Sequence, residues 1–480
     1  MPALSRICLA SLFLWLVIVI LPSPILSIAH AQTSQPSGGF LEKAGSAIRS
    51  RWTASQLQAF LPSDRGKFVF PAPYNTQAVR LTNSSDCGAA DCLWYVGYSY
   101  WRNSNNHVSS NQMLIFLSFN KALGGAGPTL FSYDKTTDQV TKAGPLFDAT
   151  SPFTWQTGEG WYFSATLPTT LYMYDGPRML RYDVVTKQFT TVFDITPTWG
   201  TDYRIWQMHS SNDDSVHSAT IRRVSTGENL GCTVYLEATK QFRFYPKVGT
   251  YDECQVDKSG RYLLILEVIG STAGVVNRYF DIQTGVETRL LDAAGSGNLG
   301  HHDMGFGYIV GADRWNAFPN ATAMNNLSPS VTRGPTINYN YNWDLVQANH
   351  ITHGNAKSGI PLDQEYACGS YADRVSYAQN EIVCFRLNTS MDQLIVAPVM
   401  TDLNAAGGGD DYGKAPKGNL DITGRYFIWT TNIYSPHLEA FVVKVPSEVL
   451  FGQAPLPPPT STPTSPTSET PPGKGKRKPR

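Results

Sequence analysis

The sequence predicts an all-β protein in which seven four-stranded antiparallel units close into a ring. Three observations carry this. Short runs rich in Tyr, Phe, Trp, Val and Thr alternate with Gly, Asp, Asn and Thr turns, with no long helical period. An aromatic-Asp-x-x-Thr signature recurs at Tyr133 to Thr137, Tyr182 to Thr186 and Phe280 to Thr284. A second signature, out of phase with the first, pairs Val256 to Leu263 with Leu420 to Phe427, 164 residues later.

The first signature is a strand that ends in a tight turn, where the Asp side chain bonds the turn backbone before a second strand returns. Weaker copies at Tyr235 to Thr239 and Phe385 to Thr389 give spacings of 49, 53, 45 and 105 residues. The long gap predicts a degenerate copy near residue 330, and Phe441 lies one unit beyond the last. Looser copies of the second signature fall at Thr157 to Phe163, Asn212 to Ser218 and Asp303 to Val310. Two hairpin signals per unit mean four strands, and a single sustained period favours a repeat architecture over paired sandwiches. Asp257, Arg261, Asp421 and Arg425 are therefore expected to hold turns rather than to catalyse.

The Asp-x-Ser/Thr-Gly-Arg-Tyr pieces resemble the blade motif of TolB-like and WD-repeat-like proteins. The resemblance implies a seven-bladed β-propeller with four-stranded antiparallel blades. Strands between Lys67 and Thr82 are expected to complete the last blade and close the ring.

The ends of the chain read differently. Residues 1–31 have the pattern of a secretory leader: Arg6, an apolar run from Ile7 to Leu21, then Ala29-His30-Ala31 before Gln32. Residues 32–63 form a polar, weakly helical N-terminal extension, and residues 64–452 the propeller domain. From Gln453 the composition turns to Pro, Thr and Ser and ends in a basic cluster, a solvated tail that cannot bury apolar area. Six cysteines outside the leader are an even number with no CxxC, and sequence neighbours suggest the pairs Cys87–Cys92, Cys232–Cys254 and Cys368–Cys384. A secreted or periplasmic monomer is expected. Setting leader and tail aside leaves a mildly acidic body, which argues against a nucleic-acid partner. Asn83, Asn320, Asn326 and Asn388 sit in glycosylation sequons that matter only in a host that uses them.

Chemistry in a ring of blades belongs on the axis, where inner strands meet. His301, His302, His350 and His353 fall one unit apart, and strand alternation lets only one of His301 and His302 face inwards. The run Gln347 to His353 is similar to the Gln-x-x-His-x-His run that holds a metal in oligogalacturonate lyases, which are also seven-bladed propellers. The similarity implies a site built from His301, Gln347, His350 and His353, with His353 displaced by one position. Neutral imidazoles beside a carboxamide oxygen suit one divalent transition metal, Mn or Zn.

Elimination from a uronic acid needs a cation at the carboxylate, a base for the α-proton and an acid for the leaving oxygen. Arg204 or a metal offers the first, His209 the second, and Tyr203 or water the third. Tyr339, Tyr341 and Trp343 can stack on sugar rings, and Asp410 and Asp411 follow three glycines in a rim loop. No GxSxG elbow, HExxH, P-loop or strand-to-helix GxGxxG occurs. Two functions stay open at this point. One is a lyase acting on an extracellular acidic polysaccharide. The other is a non-catalytic propeller that binds a glycan, a cell-envelope component or a protein.

Overall fold

The computed structural model describes residues 36–43, 49–87, 92–94, 97–105, 110–153, 160–269, 276–290, 300–313, 321–327, 339–340, 350–370, 372, 380–388, 390, 392–405, 411–433 and 437–453. Its strands form seven antiparallel sheets that follow one another along the chain. Four have four strands each: Tyr162–Phe163 through Gln188–Asp194, Tyr203–Ser210 through Gln241–Pro246, Thr250–Val256 through Glu287–Leu290, and Gly300–Met304 through Tyr339–Asn340. Two have five, and the sheet of Gln112–Phe119, Gly127–Asp134 and Gln139–Pro145 has three. The all-β propeller architecture is as predicted. The uniform set of seven four-stranded blades is not, since among the described residues six sheets reach four strands or more and one has three.

The extra strands come from the N-terminal region. Gln77–Arg80 pairs antiparallel with Glu439–Lys444, placing Val79 opposite Val442 and Ala78 opposite Val443. The last sheet therefore contains the beginning and end of the ring, as the Lys67 to Thr82 region suggested. Gly66–Val69 then adds a fifth strand. Phe40–Lys43 is also a strand and not part of a helix. It extends the sheet of His350–Thr352 through Asp392–Pro398, with Phe40 opposite Ile395. Among the described residues of that region, the helical piece is the turn Ala54–Gln58, capped by Thr53 and Gln56 in a reciprocal box.

The repeated signatures act as their chemistry requires. The Asp134 carboxylate accepts from the backbone N–H of Thr136 and Thr137, Asp183 from Val185 and Thr186, and Asp281 from Gln283 and Thr284. Asp257 accepts from Arg261 and Tyr262, and Asp421 from Arg425 and Tyr426. The Asp257 carboxylate also accepts from Gly307 N–H, 2.8 Å away in the following sheet. Turn residues thus join blades as well as strands. The copy expected near residue 330 lies outside the described residues. The three disulfides are those that sequence proximity suggested, and Cys232–Cys254 ties one sheet to the next. No helix among the described residues is long and apolar enough to cross a membrane.

A belt of bonds runs between neighbouring inner strands. Asn212 N–H donates to Lys258 O at 2.9 Å, and Lys258 N–H to Gly305 O at 3.0 Å. His353 N–H donates to the Asp303 carboxylate at 2.6 Å, and Leu420 N–H to Thr352 Oγ1 at 3.1 Å. Four consecutive junctions of the ring are closed this way, each satisfying a backbone group that the curved sheets would leave buried and unpaired.

Candidate functional site

Three consecutive inner strands carry a bulge near the same level. Pairing shifts between Trp206 and His209, between Tyr251 and Glu253, and between Gly300 and Asp303. Gln207 and His301 sit inside two of these bulges with φ of 46° and 43°. One extra residue reverses side-chain parity, so consecutive residues can serve the same region. This overrides the simple alternation expected for His301 and His302. His302 is fully buried beside Tyr100, with ring centroids 5.8 Å apart, and His301 stacks on His350 at 4.2 Å.

The segment 97–105 occupies the centre of the ring. Its residues bond or pack against the first strand of every other sheet. Arg102 O accepts from Phe163 N–H, and Trp101 Nε1 donates to Met208 O at 2.7 Å. The Tyr100 hydroxyl donates to Glu253 at 2.7 Å, and its ring faces His302. Tyr98 meets His350 edge-on at 4.9 Å. Gly97 lies so close to Asn419 that a Cβ there would stand 3.0 Å from its amide nitrogen. Ser104 bridges to Ile115 of the three-stranded sheet. The axis is therefore filled by an aromatic plug, and sequence reasoning missed it. The available signal was the density of aromatics from Trp94 to Trp101, directly after Cys92.

Beneath the plug a chamber of about 20 Å³ remains, lined by Tyr100, Arg102, His209, Gln255, Lys258 and Asp303 among others. That is room for one water molecule. His209 is stacked on Trp101 at 4.9 Å and is almost fully buried. Burial, and then the neighbouring His302, hold its imidazole well below its ordinary pKa. Burial likewise lowers His302 to about 4. His209 Nε2 and both ring nitrogens of His302 have no hydrogen-bond partner among the described residues. Lys258 forms a buried ion pair with Asp303 at 2.8 Å. Burial opposes ionisation of Asp303, but Lys258 and the His353 N–H hold its carboxyl below the usual range. Arg102 is buried with its Nε unpartnered among the described residues, and burial lowers its pKa against the pull of Asp303 and Asp214.

The other described sequence candidates fall on separate elements. Tyr203 and Arg204 stand at the opposite end of the strand from His209, roughly 20 Å away at strand rise. The Tyr203 hydroxyl accepts from Arg223 at 3.1 Å. Arg204 is half-buried. Tyr339 lies in the edge strand Tyr339–Asn340, and Asp411 opens the short helix Asp411–Lys414. Tyr341, Trp343, Gln347 and Asp410 lie outside the described residues.

The expected metal set does not assemble among the described residues. His353 faces Tyr308 and Asn355, its Nε2 2.6 Å from the tyrosine hydroxyl and its Nδ1 3.2 Å from the amide oxygen. Both nitrogens are thus engaged, and burial lowers its pKa to about 3. The His301 and His350 rings stack at 14°, face to face, which does not converge two lone pairs on one point. The Tyr100 ring packs against both His209 and His302. No group of three or more His, Cys, Asp or Glu among the described residues has the geometry to hold a metal ion. Among the described residues, the histidines present do not form a site for a resident metal.

No protein-family model matches the chain, and no curated protein matches it. Solved structures do. An oligogalacturonate lyase from Vibrio parahaemolyticus superposes with a TM-score of 0.57 at 8% identity, covering 86% of this chain and 100% of that one. An oligogalacturonate lyase in complex with manganese gives 0.56 at 11% identity, covering 81% and 98%. At such identities the likeness speaks for the fold alone: this chain has a β-propeller fold similar to that of the oligogalacturonate lyases.

Proposed function

We propose that this chain is an exported propeller that binds an acidic extracellular polysaccharide at its plugged funnel and cleaves it by elimination from a uronate unit. The observation that carries the reading is the neutral, unpartnered His209 imidazole beside two buried cations, Arg102 and Lys258, in one chamber. Arg102 takes the role first given to Arg204. It neutralises the uronate carboxylate and so acidifies the adjacent proton. His209 Nε2 accepts that proton, and a water protonates the leaving oxygen, the hydroxide so formed taking the proton back from His209 Nε2. The three disulfides support export, since such bonds persist in oxidising compartments. We further read the three-stranded sheet as the seventh blade, with residues 103–105, which bond Leu114 and Phe116, standing where its inner strand would run.

The test is incubation with polygalacturonate and alginate, following ultraviolet absorbance of the unsaturated product. Product formation that falls about 10²–10⁴-fold in His209→Ala supports the reading. Absence of product from folded protein, or an unaffected His209→Ala variant, overturns it. The non-catalytic alternative is favoured by one observation: a chamber of about 20 Å³ is too small for a sugar ring. Retention of the polymers on the immobilised protein, lost in Arg102→Gln, with no unsaturated product, is the result that reading expects.

A further inference from the structure

We propose that Ser210, His217 and Glu237 form an acyl-transfer centre that opens into the same chamber. Ser210 is the nucleophile, and the substrate class is a short-chain carboxylic ester such as an acetylated hydroxyl. This does not rest on the elimination reading, since neither His209 nor a uronate takes part.

Three neighbouring strands build the centre. Ser210 ends the strand Tyr203–Ser210 and lies directly opposite His217 in Val216–Arg223. Glu237 follows Asn229–Leu236, whose Tyr235 is the partner of His217 on the other side. Ser210 Oγ is 2.6 Å from His217 Nδ1, and His217 Nε2 is 2.7 Å from Glu237 Oε1. A carboxylate can only accept, so Nε2 carries the proton and Nδ1 is left as the acceptor for the serine hydroxyl. The Tyr162 hydroxyl, 2.7 Å from Ser210 Oγ, is then the donor to it. Arg181 also bonds Glu237 and favours its charged form. The His217 bond is the largest cause holding Glu237 below its usual pKa.

Nucleophile, base and orienter are therefore in hydrogen-bond sequence, the arrangement by which such centres are recognised whatever their order in the chain. A cross-strand polar network alone would account for the bonds. It would not account for Ser210 lying on the chamber wall with the buried, unpartnered Arg102 Nε in the same lining. In the reaction, Oγ bonds to the ester carbonyl carbon as its proton passes to Nδ1, and Arg102 Nε–H donates to the developing oxyanion. Collapse breaks the bond to the alcohol oxygen, which takes the proton from Nδ1. Water then attacks the acyl-serine by the same route and releases the carboxylic acid. So narrow a chamber disfavours long acyl chains, so the acyl group must be short.

The experiment uses purified full-length chain with a fluorophosphonate probe, followed by peptide mass spectrometry. Turnover of p-nitrophenyl acetate and p-nitrophenyl octanoate is measured in parallel. One probe molecule per chain on Ser210 is expected, with acetate preferred and turnover at least about a thousandfold lower in Ser210→Ala. Glu237→Gln should also lower turnover while leaving the melting temperature near that of the parent, a split that a merely structural network would not give. An unlabelled Ser210 in folded protein, or a Ser210→Ala variant that turns over as fast as the parent, overturns the proposal.

Discussion

His302 and His353 are buried without charge, and this fixes how the protein should respond to acid. Their imidazoles are lowered to about 4 and about 3, in both cases first by burial. In the unfolded chain each protonates near pH 6.5. Between those values the unfolded state binds more protons, so the stability from burying neutral imidazoles is complete above about pH 6.5 and is lost as pH falls towards 4 and then 3. Urea midpoints across that range should fall steeply for the parent and less steeply for His353→Gln, which has nothing to titrate. Equal slopes would assign the acid sensitivity to carboxylates instead. Trp101 makes a separate case. It is fully buried, stacks on His209 and donates to Met208 O. Trp101→Ala should cost roughly 3–5 kcal/mol, read as a shift in the denaturant midpoint.

At the scale of elements, the disulfides differ in what they tie. Cys368 and Cys384 face each other within one sheet. Cys87–Cys92 closes a short loop with a sequence separation of 5, whereas Cys232–Cys254 spans 22 residues and crosses between sheets. By loop-closure entropy the longer bridge should stabilise by roughly 1 kcal/mol more than the shorter. Comparing melting of the Cys232→Ala/Cys254→Ala and Cys87→Ala/Cys92→Ala variants tests this, and equal losses would contradict it. These pairs were legible in the sequence because each joins near neighbours in the chain. The turns were legible for the same reason: the Asp134, Asp183 and Asp257 carboxylates bond backbone within five residues. The bulges at Gln207 and His301 were not, because an extra residue in one strand is defined only against its partner strand. Missing them misplaced the parity of His301 and His302. The plug was hidden for a stronger reason. Tyr98, Tyr100 and Trp101 acquire their roles from strands more than 100 residues away.

Across the whole molecule, the ring is held shut by residues from opposite ends of the chain. Phe68, Phe70, Tyr74 and Ala78 share a core with Trp429, Phe441 and Val443. Arg80 forms a mostly buried ion pair with Glu439 at 3.1 Å, and the Thr82 hydroxyl donates to the same carboxylate. The strand Phe40–Lys43, by contrast, only adds a fifth strand to a sheet that already has four. Two truncations should therefore behave differently. Removing residues through Lys43 exposes one edge and should leave a monomer with a lowered melting temperature. Removing residues through Arg80 exposes the edge Glu439–Lys444 with its apolar face, leaves Glu439 without its cation, and opens the last sheet. An unpaired edge of this kind is a template for association, so this shorter chain should aggregate or elute as oligomers in size-exclusion chromatography. Adding a peptide of residues 60–82 should restore part of the monomer if the closing strand itself is what is missing. A monomeric, cooperatively unfolding chain without residues 1–80 would show that closure is not what holds the ring together.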